Sequence, residues 1–148
     1  MKNRILLSFL LVILGLYAQT QIITDDRYKK SLDEQYTSGL FKGTNNSYMM
    51  VPAEDPAAMG SFTIFQYLQG RIPGLIINNS WPLNPSVQWR MYRPAFFLNE
   101  IRVDAATIAL LNINDIGLVK VFRPPFVGAI GNGPGGAIAV YTLRGDEE

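Results

Sequence analysis

The chain has 148 residues, 48% of them hydrophobic and 17% charged, a balance that supports one packed domain and excludes a chain disordered by composition. It contains no cysteine and no histidine, which excludes disulfides, thiolate nucleophiles, a lipid-anchored cysteine, imidazole metal ligands and a Ser-His-Asp triad. Its 13 basic residues balance 12 acidic ones without forming a basic stripe, so nucleic acid is not expected as a partner.

Lys2 and Arg4 precede a nearly continuous apolar run over residues 5–17. A run of about 13 residues suits the core of a secretory signal and falls short of the ~20 that cross a bilayer. Ala18 supplies the small residue at a cleavage site. Residues 1–18 are therefore read as a signal peptide, and the mature chain as having no transmembrane segment. Losing Lys2 and Arg4 leaves 11 basic and 12 acidic residues. An exported chain without cysteine fits a bacterial envelope, and the expected location is the periplasm.

Residues 19–60 read as a polar linker. Charges cluster from Asp25 to Glu34. Tyr28, Leu32 and Tyr36 share a helical face and allow a turn or two over residues 28–41. Gly39, Gly43, Asn45 and Asn46 then break it.

From residue 61 the periodicity sharpens. Ser61 is expected to cap a helix whose apolar stripe is Phe62, Phe65 and Leu68, ending near Gly70. Pro73-Gly74 makes a turn into a short strand at Leu75-Ile76-Ile77. Residues 78–85, with Trp81, Pro82 and Pro85, form a loop. Val87 to Met91 alternates as a half-buried strand. Phe96-Phe97-Leu98 and Ile101-Arg102-Val103 flank Asn99-Glu100, a tight hairpin. Asp104 is expected to cap a helix over 105–111, and Asn114-Asp115 to open a turn. Strands follow at 118–122 and 137–142, the first ended by Pro124-Pro125. Short strands alternating with short helices predict a small α+β domain with a mixed sheet.

Gly131-Asn132-Gly133-Pro134-Gly135-Gly136 matches the spacing of a nucleotide-binding loop. Such a loop must lead into a helix whose N-terminus faces phosphate. The residues after Gly136 read as a strand instead, and no lysine follows as in a phosphate loop. Gly131, Gly133, Gly135 and Gly136 are therefore read as a structural turn that lets the backbone approach closely. No residue pattern calls for a cofactor or metal: paired acids and clustered oxygen ligands are missing. Phe96, Phe97, Phe122 and Phe126 are expected in the core. Trp81, Trp89, Arg90, Tyr92 and Arg93 are the candidate contacts for a glycan, a peptide or a protein partner.

Five segments, taken in order, resemble the plug domain of TonB-dependent outer-membrane receptors of the glycan-utilisation type. Residues 65–75 (FQYLQGRIPGL) look like its opening helix and turn, and Val87-Gln88-Trp89-Arg90 like the next strand with its arginine. Residues 94–100 (PAFFLNE) correspond to its P-L-x-x-x-D-G hairpin strand, and residues 113–121 (INDIGLVKV) to its I-x-x-x-D-I-x-x-I-x-V segment. Residues 131–145 look like its closing glycine turn and strand. Met91 and Asn99-Glu100 depart from the family pattern, and the connection from Arg90 to Pro94 is short where a substrate-facing loop would lie. The sequence after Gly145 offers no strands for a transmembrane barrel. The resemblance implies a plug-like domain over 61–145, followed by an acidic tail, 146–148. It also implies a non-enzymatic role, association with the outer membrane, and an outer-membrane or periplasmic protein partner of the barrel or TonB type. A free-standing copy is expected to act through protein–protein contact, for example by pairing at a sheet edge. The alternatives are a periplasmic glycan- or peptide-binding module, and a truncated piece of a longer receptor.

Overall fold

The computed structural model describes residues 26–43, 46–78, 80, 85–126 and 133–144. The signal-peptide reading, Trp81, Gly131 and the acidic tail lie outside the described residues. Helix α1 covers residues 26–36. It is followed by β1 (Ser47–Met50), α2 (Ile64–Leu68), β2 (Leu75–Asn78), β3 (Ser86–Trp89), β4 (Ala95–Leu98), β5 (Ile101–Val103), α3 (Ala105–Ala109), β6 (Ile116–Phe122) and β7 (Ala137–Thr142), with single 3-10 turns between some of them.

Five strands form one sheet in the order β1-β6-β7-β4-β5, and β2 pairs with β3 as a separate hairpin. The β4–β7 pair is parallel; the others are antiparallel. The fold is thus α+β with a mixed sheet. Both faces of the sheet are covered, which is why every residue of β6 is buried and why that strand reads as an apolar run rather than an alternation. One face packs on α2, α3 and the β2–β3 hairpin, through Ile64, Phe65, Leu68, Ile108, Val119 and Val140. The other carries Phe97, Leu118, Phe122, Phe126 and Tyr141 beneath Tyr36 and Phe41. Phe122 stacks on Phe126 with centroids 4.5 Å apart, and Phe41 meets Phe97 edge-on at 5.0 Å.

Local chemistry fixes several boundaries differently from the periodicity alone. Helix α2 starts at Ile64, because Thr63, not Ser61, caps it. The Thr63 hydroxyl accepts from the Gln66 N–H at 3.3 Å, and the Gln66 side chain accepts in return from the N–H groups of Phe62 and Thr63, a capping box. Phe62 is left outside the helix and 85% exposed, so it does not belong to the apolar stripe. Asp104 occupies the N-cap position of α3, but its side chain accepts no hydrogen bond from the helix. Ile76 points outward from β2, which alternates rather than being wholly buried. Strand β3 stops at Trp89, since Arg90 takes a left-handed φ of 58°. Asn99 and Glu100 both have positive φ, 49° and 69°, as a two-residue primed hairpin turn requires. Strand β7 starts directly at Ala137, next to Gly136, so no helix follows the glycines.

The stretch expected as a linker contributes to the packed structure. β1 pairs with β6, and residues 26–43 lie over the second face of the sheet. Two of its polar ties among the described residues link residues 33–43 to the main sheet. The first is Lys120, in the middle of β6 and fully buried. Its ammonium donates to the Asp33 carboxylate, to Phe41 O at 2.6 Å and to Gly43 O at 3.1 Å. Asp33 also accepts from the Thr37 hydroxyl at 2.8 Å and the Gly43 N–H at 2.7 Å. Burial pushes the Asp33 carboxyl up, but the hydrogen bonds from Lys120, Gly43 and Thr37 outweigh it, together with the Lys120 charge. The net shift is downward. The second tie is Glu100, whose carboxylate accepts from the Ser38 N–H at 2.5 Å and from the Ser38 hydroxyl.

The glycine turn has a steric basis. A Cβ on Gly135 would overlap the carbonyl of Arg93, and one on Gly136, at φ 73°, would meet the carbonyl of Phe122. The Gly136 carbonyl accepts from the Ala95 N–H at 3.0 Å, where β4 and β7 come together.

Two predictions test this frame. Asp33→Ala, which leaves a buried ammonium without its counter-charge, is expected to cost about 3 kcal/mol or more. Asp33→Leu combined with Lys120→Met should recover much of that loss, a coupling that urea unfolding of the single and double variants measures. Because the folded Asp33 carboxyl sits below its ordinary value of 3.8, its contribution is complete above that value. It is lost as pH falls through the lower folded value, and the double variant should lack this part of the acid response. Gly135→Ala is expected to destabilise by about 1–3 kcal/mol through overpacking. Gly60→Ala, which meets nothing within 4 Å, should stay within about 0.5 kcal/mol.

Candidate functional site

The β3–β4 connection is closed by a pair of backbone hydrogen bonds. The Trp89 N–H donates to Tyr92 O at 2.8 Å, and the Tyr92 N–H donates back to Trp89 O at 3.1 Å. Arg90 and Met91 are left at the tip, and Arg90 donates its N–H to Gly74 O at 3.2 Å. Arg90 takes a φ of 58°, a conformation uncommon for a non-glycine residue.

The five residues singled out from the sequence sort into three groups. Trp89 is buried at 5% exposure and stacks on Tyr48 with centroids 6.4 Å apart. It is part of the scaffold that carries the tip rather than an open contact, because its place in the β3 alternation turns it inward. Arg90, Tyr92 and Arg93 are exposed and adjacent, with Met91 between them at 88% exposure. Trp81 lies outside the described residues.

Beside the tip is a groove of about 570 Å³ between the start of β3, the start of β4 and the β5–α3 junction. Arg93, Arg102 and Asp104 bring charge to it, over an apolar floor that includes Val87, Pro94 and Phe96. The Gly135 backbone lies so close to the Arg93 carbonyl that a Cβ there would overlap it. Arg102 and Asp104 did not stand out in the sequence. The signal was present in the hairpin register, where Arg102 faces Phe97 across β4–β5 and both charges follow directly from the β5 strand.

Two guanidinium groups near an apolar floor suit a carboxylate or another planar anion, which arginine can hold with paired hydrogen bonds. The same groups offer little for acid–base catalysis. Among the described residues, where titration is clearly displaced it moves away from neutrality. Asp33 and Asp55 are lowered, Tyr28 and Tyr67 are each pushed up to about 12, and Tyr141 is raised by burial and by Glu100. A general acid or base would need the opposite displacement. Among the described residues no three His, Cys, Asp or Glu side chains converge on a point that could hold a metal.

Comparison with known proteins places the architecture. No family model matches the chain, and no curated protein matches it in sequence. Solved structures do match. The ferric enterobactin receptor PfeA is similar over 69% of this chain and 18% of its own, with a TM-score of 0.53 and 13% identity. The siderophore receptor PirA from Acinetobacter baumannii gives 0.53 and 14% identity over 68% of this chain and 18% of its own. The RagAB peptide importer in its open-open state gives 0.52 and 16% identity over 76% of this chain and 14% of its own. The chain therefore spans less than a fifth of the length of each. The likeness is one of fold, and at that level the resemblance to a TonB-dependent receptor plug holds.

The sorting of the tip residues makes a direct prediction. Tyr92→Ala and Arg93→Ala should each change stability by no more than about 0.5 kcal/mol. Trp89→Ala should cost about 3–5 kcal/mol. Thermal unfolding of the three variants distinguishes them.

Proposed function

We propose that this chain is an exported, non-enzymatic envelope protein whose plug-like domain works by protein–protein contact, in outer-membrane transport or in envelope assembly. The observation that carries the reading is the architecture: a mixed five-strand sheet with a separate two-strand hairpin, similar to part of several outer-membrane receptors over about two thirds of this chain or more. Among the described residues no helix is long and apolar enough to cross a membrane.

A second reading has one specific observation in its favour. Arg90, Tyr92 and Arg93 stand exposed beside a groove with two guanidinium groups, which suits a peptide carboxylate or a glycan better than a flat surface would. One structurally similar protein is named a peptide importer. Under this reading Trp81 joins the contact set. A third reading makes the chain a piece of a longer receptor.

The deciding experiment is fractionation with in vivo cross-linking. The protein is expected in the envelope fraction, shortened by about the mass of residues 1–18, and cross-linked to an outer-membrane or periplasmic protein identified by mass spectrometry. Recovery in the cytoplasm, or in the envelope without a cross-linked partner, would overturn the contact reading. Titration with oligosaccharides and short peptides, followed by tryptophan fluorescence, tests the second reading, and a flat response counts against it.

A further inference from the structure

Register and contacts divide the charges of this fold between two ends. At one end of the main sheet β4 and β7 begin and β6 stops, with Ala95 paired to Ala137 and Ala137 to Phe122. Four cations gather there. Arg93 precedes this row, its carbonyl against Gly135. Arg123 follows the row and donates its N–H to Asn46 O at 3.0 Å. The Arg123 guanidinium sits 4.6 Å from the centre of the Tyr48 ring, which stacks on Trp89 beside Arg90. Lys42 precedes Gly43, whose carbonyl accepts from the Ser47 hydroxyl at 3.4 Å. All four are exposed, and among the described residues none of them is in an ion pair. The acid at this end is Asp104, directly after β5. Arg102, in that strand, is already engaged.

The opposite end is acidic. Glu100 lies in the β4–β5 turn, and Glu34 and Arg144 border the same hollow. Asp115 precedes β6, and the turn Pro52–Glu54 packs on the turn Ile113–Asp115. That packing brings Glu54 and Asp55 to this end, where Asp55 pairs with Arg71 at 3.8 Å. Asp26 and Lys29 lie along β1 between the two ends, and Arg27 and Lys30 share their turns of α1. Lys120 and Asp33 neutralise each other inside the fold. The sequence at 44–45, 79, 81–84 and 127–132 contains no charged residue, so those segments leave the division as it is.

The cationic end also carries Met91 and Tyr92, 88% and 57% exposed, directly between Arg90 and Arg93. The paired hydrogen bonds between Trp89 and Tyr92 close the turn behind them, so both side chains are presented with little left to order on binding. Two apolar side chains are too few for a stable protein interface, which takes about 800 Å² from each partner. They suffice at a bilayer surface, where a tyrosine ring sits among headgroups and neighbouring cations meet lipid phosphates. We propose that the tip Arg90-Met91-Tyr92-Arg93 docks on an anionic lipid surface. Met91 and Tyr92 enter the headgroup region, Arg90, Arg93, Arg123 and Lys42 face phosphates, and the acidic end points away from the membrane. Each basic residue held near such a surface strengthens association about fivefold. This contact is separate from the protein partner proposed above and does not depend on it.

The chain has no cysteine, so Met91→Cys and, at the acidic end, Leu143→Cys each accept one environment-sensitive dye on the whole purified protein. The probes are vesicles of phosphatidylcholine alone and vesicles with about one third phosphatidylglycerol. The dye at residue 91 is expected to report transfer to an apolar setting with the anionic vesicles, at least about tenfold more tightly than with the neutral ones, and to lose that advantage as salt rises. The dye at residue 143 should stay silent. On the protein labelled at residue 91, Arg93→Ala with Arg123→Ala should weaken binding by about twentyfold, while Arg144→Ala leaves it unchanged. Equal response to the two vesicles, a signal at residue 143 instead of 91, polyglutamate bound as tightly as the anionic vesicles, or full binding by the double variant would each overturn the proposal. Should the double variant fail to fold, the two vesicles and two dye positions still decide. None of these outcomes alters the envelope cross-linking result, so the lipid contact and the protein contact fall separately.

Discussion

A lysine in the middle of a fully buried strand needs a counter-charge and oxygen acceptors supplied from somewhere else in the chain. Lys120 is that lysine, and every hydrogen bond its ammonium makes among the described residues goes to residues 33–43. The requirement explains why a charged, weakly periodic segment is folded at all. Without Asp33 and the carbonyls of Phe41 and Gly43, the ammonium would be stranded between the rings of Phe122 and its neighbours. With them, Tyr36 and Phe41 are delivered onto Phe97, Phe122, Phe126 and Tyr141, and the second face of the sheet is closed. One ion pair thereby turns a single-faced sheet into a two-faced one.

The same logic separates what the sequence made legible from what it did not. The β4–β5 hairpin, β6 and β7 could be read because their signals are local: alternation, apolar runs and a two-residue turn. The glycine turn could be read as structural because a strand follows it. The start of α2 was misplaced by two residues because Ser61 and Thr63 are both competent caps, and only the reach of the Gln66 side chain chooses between them. Trp89 looked like a contact residue because Arg90 and Arg93 lie close by, although the alternation of Val87 to Met91 already allowed it to face inward, as it does. The role of residues 26–43 was hidden for a different reason. Their partner lies about 80 positions away, and nothing in a polar stretch announces a distant lysine. The one available hint was Lys120 itself, a lone charge in an otherwise apolar run.

Glu100 shows how position and chemistry trade against each other in this fold. Its φ of 69° suits glycine, which is what the resembling receptors' Asp-Gly turn has in the corresponding place. A glutamate there costs backbone strain, yet its carboxylate reaches Ser38 and fastens the end of the first segment to the hairpin. The two departures from the plug-like pattern, Met91 and Asn99-Glu100, fall at turns, where side chains can be changed without disturbing the sheet between them.

The order β1-β6-β7-β4-β5 places the two last-made strands at the centre of the sheet. Until β6 and β7 emerge, β1 has no neighbour to join, β4 has only β5, and Asp33 has no ammonium to meet. A ribosome or a translocation channel releasing this polypeptide from its N-terminus would thus deliver most of it before any stable nucleus could close. Such a late-closing topology keeps a chain threadable through a narrow pore and leaves its apolar strands in need of protection on the way.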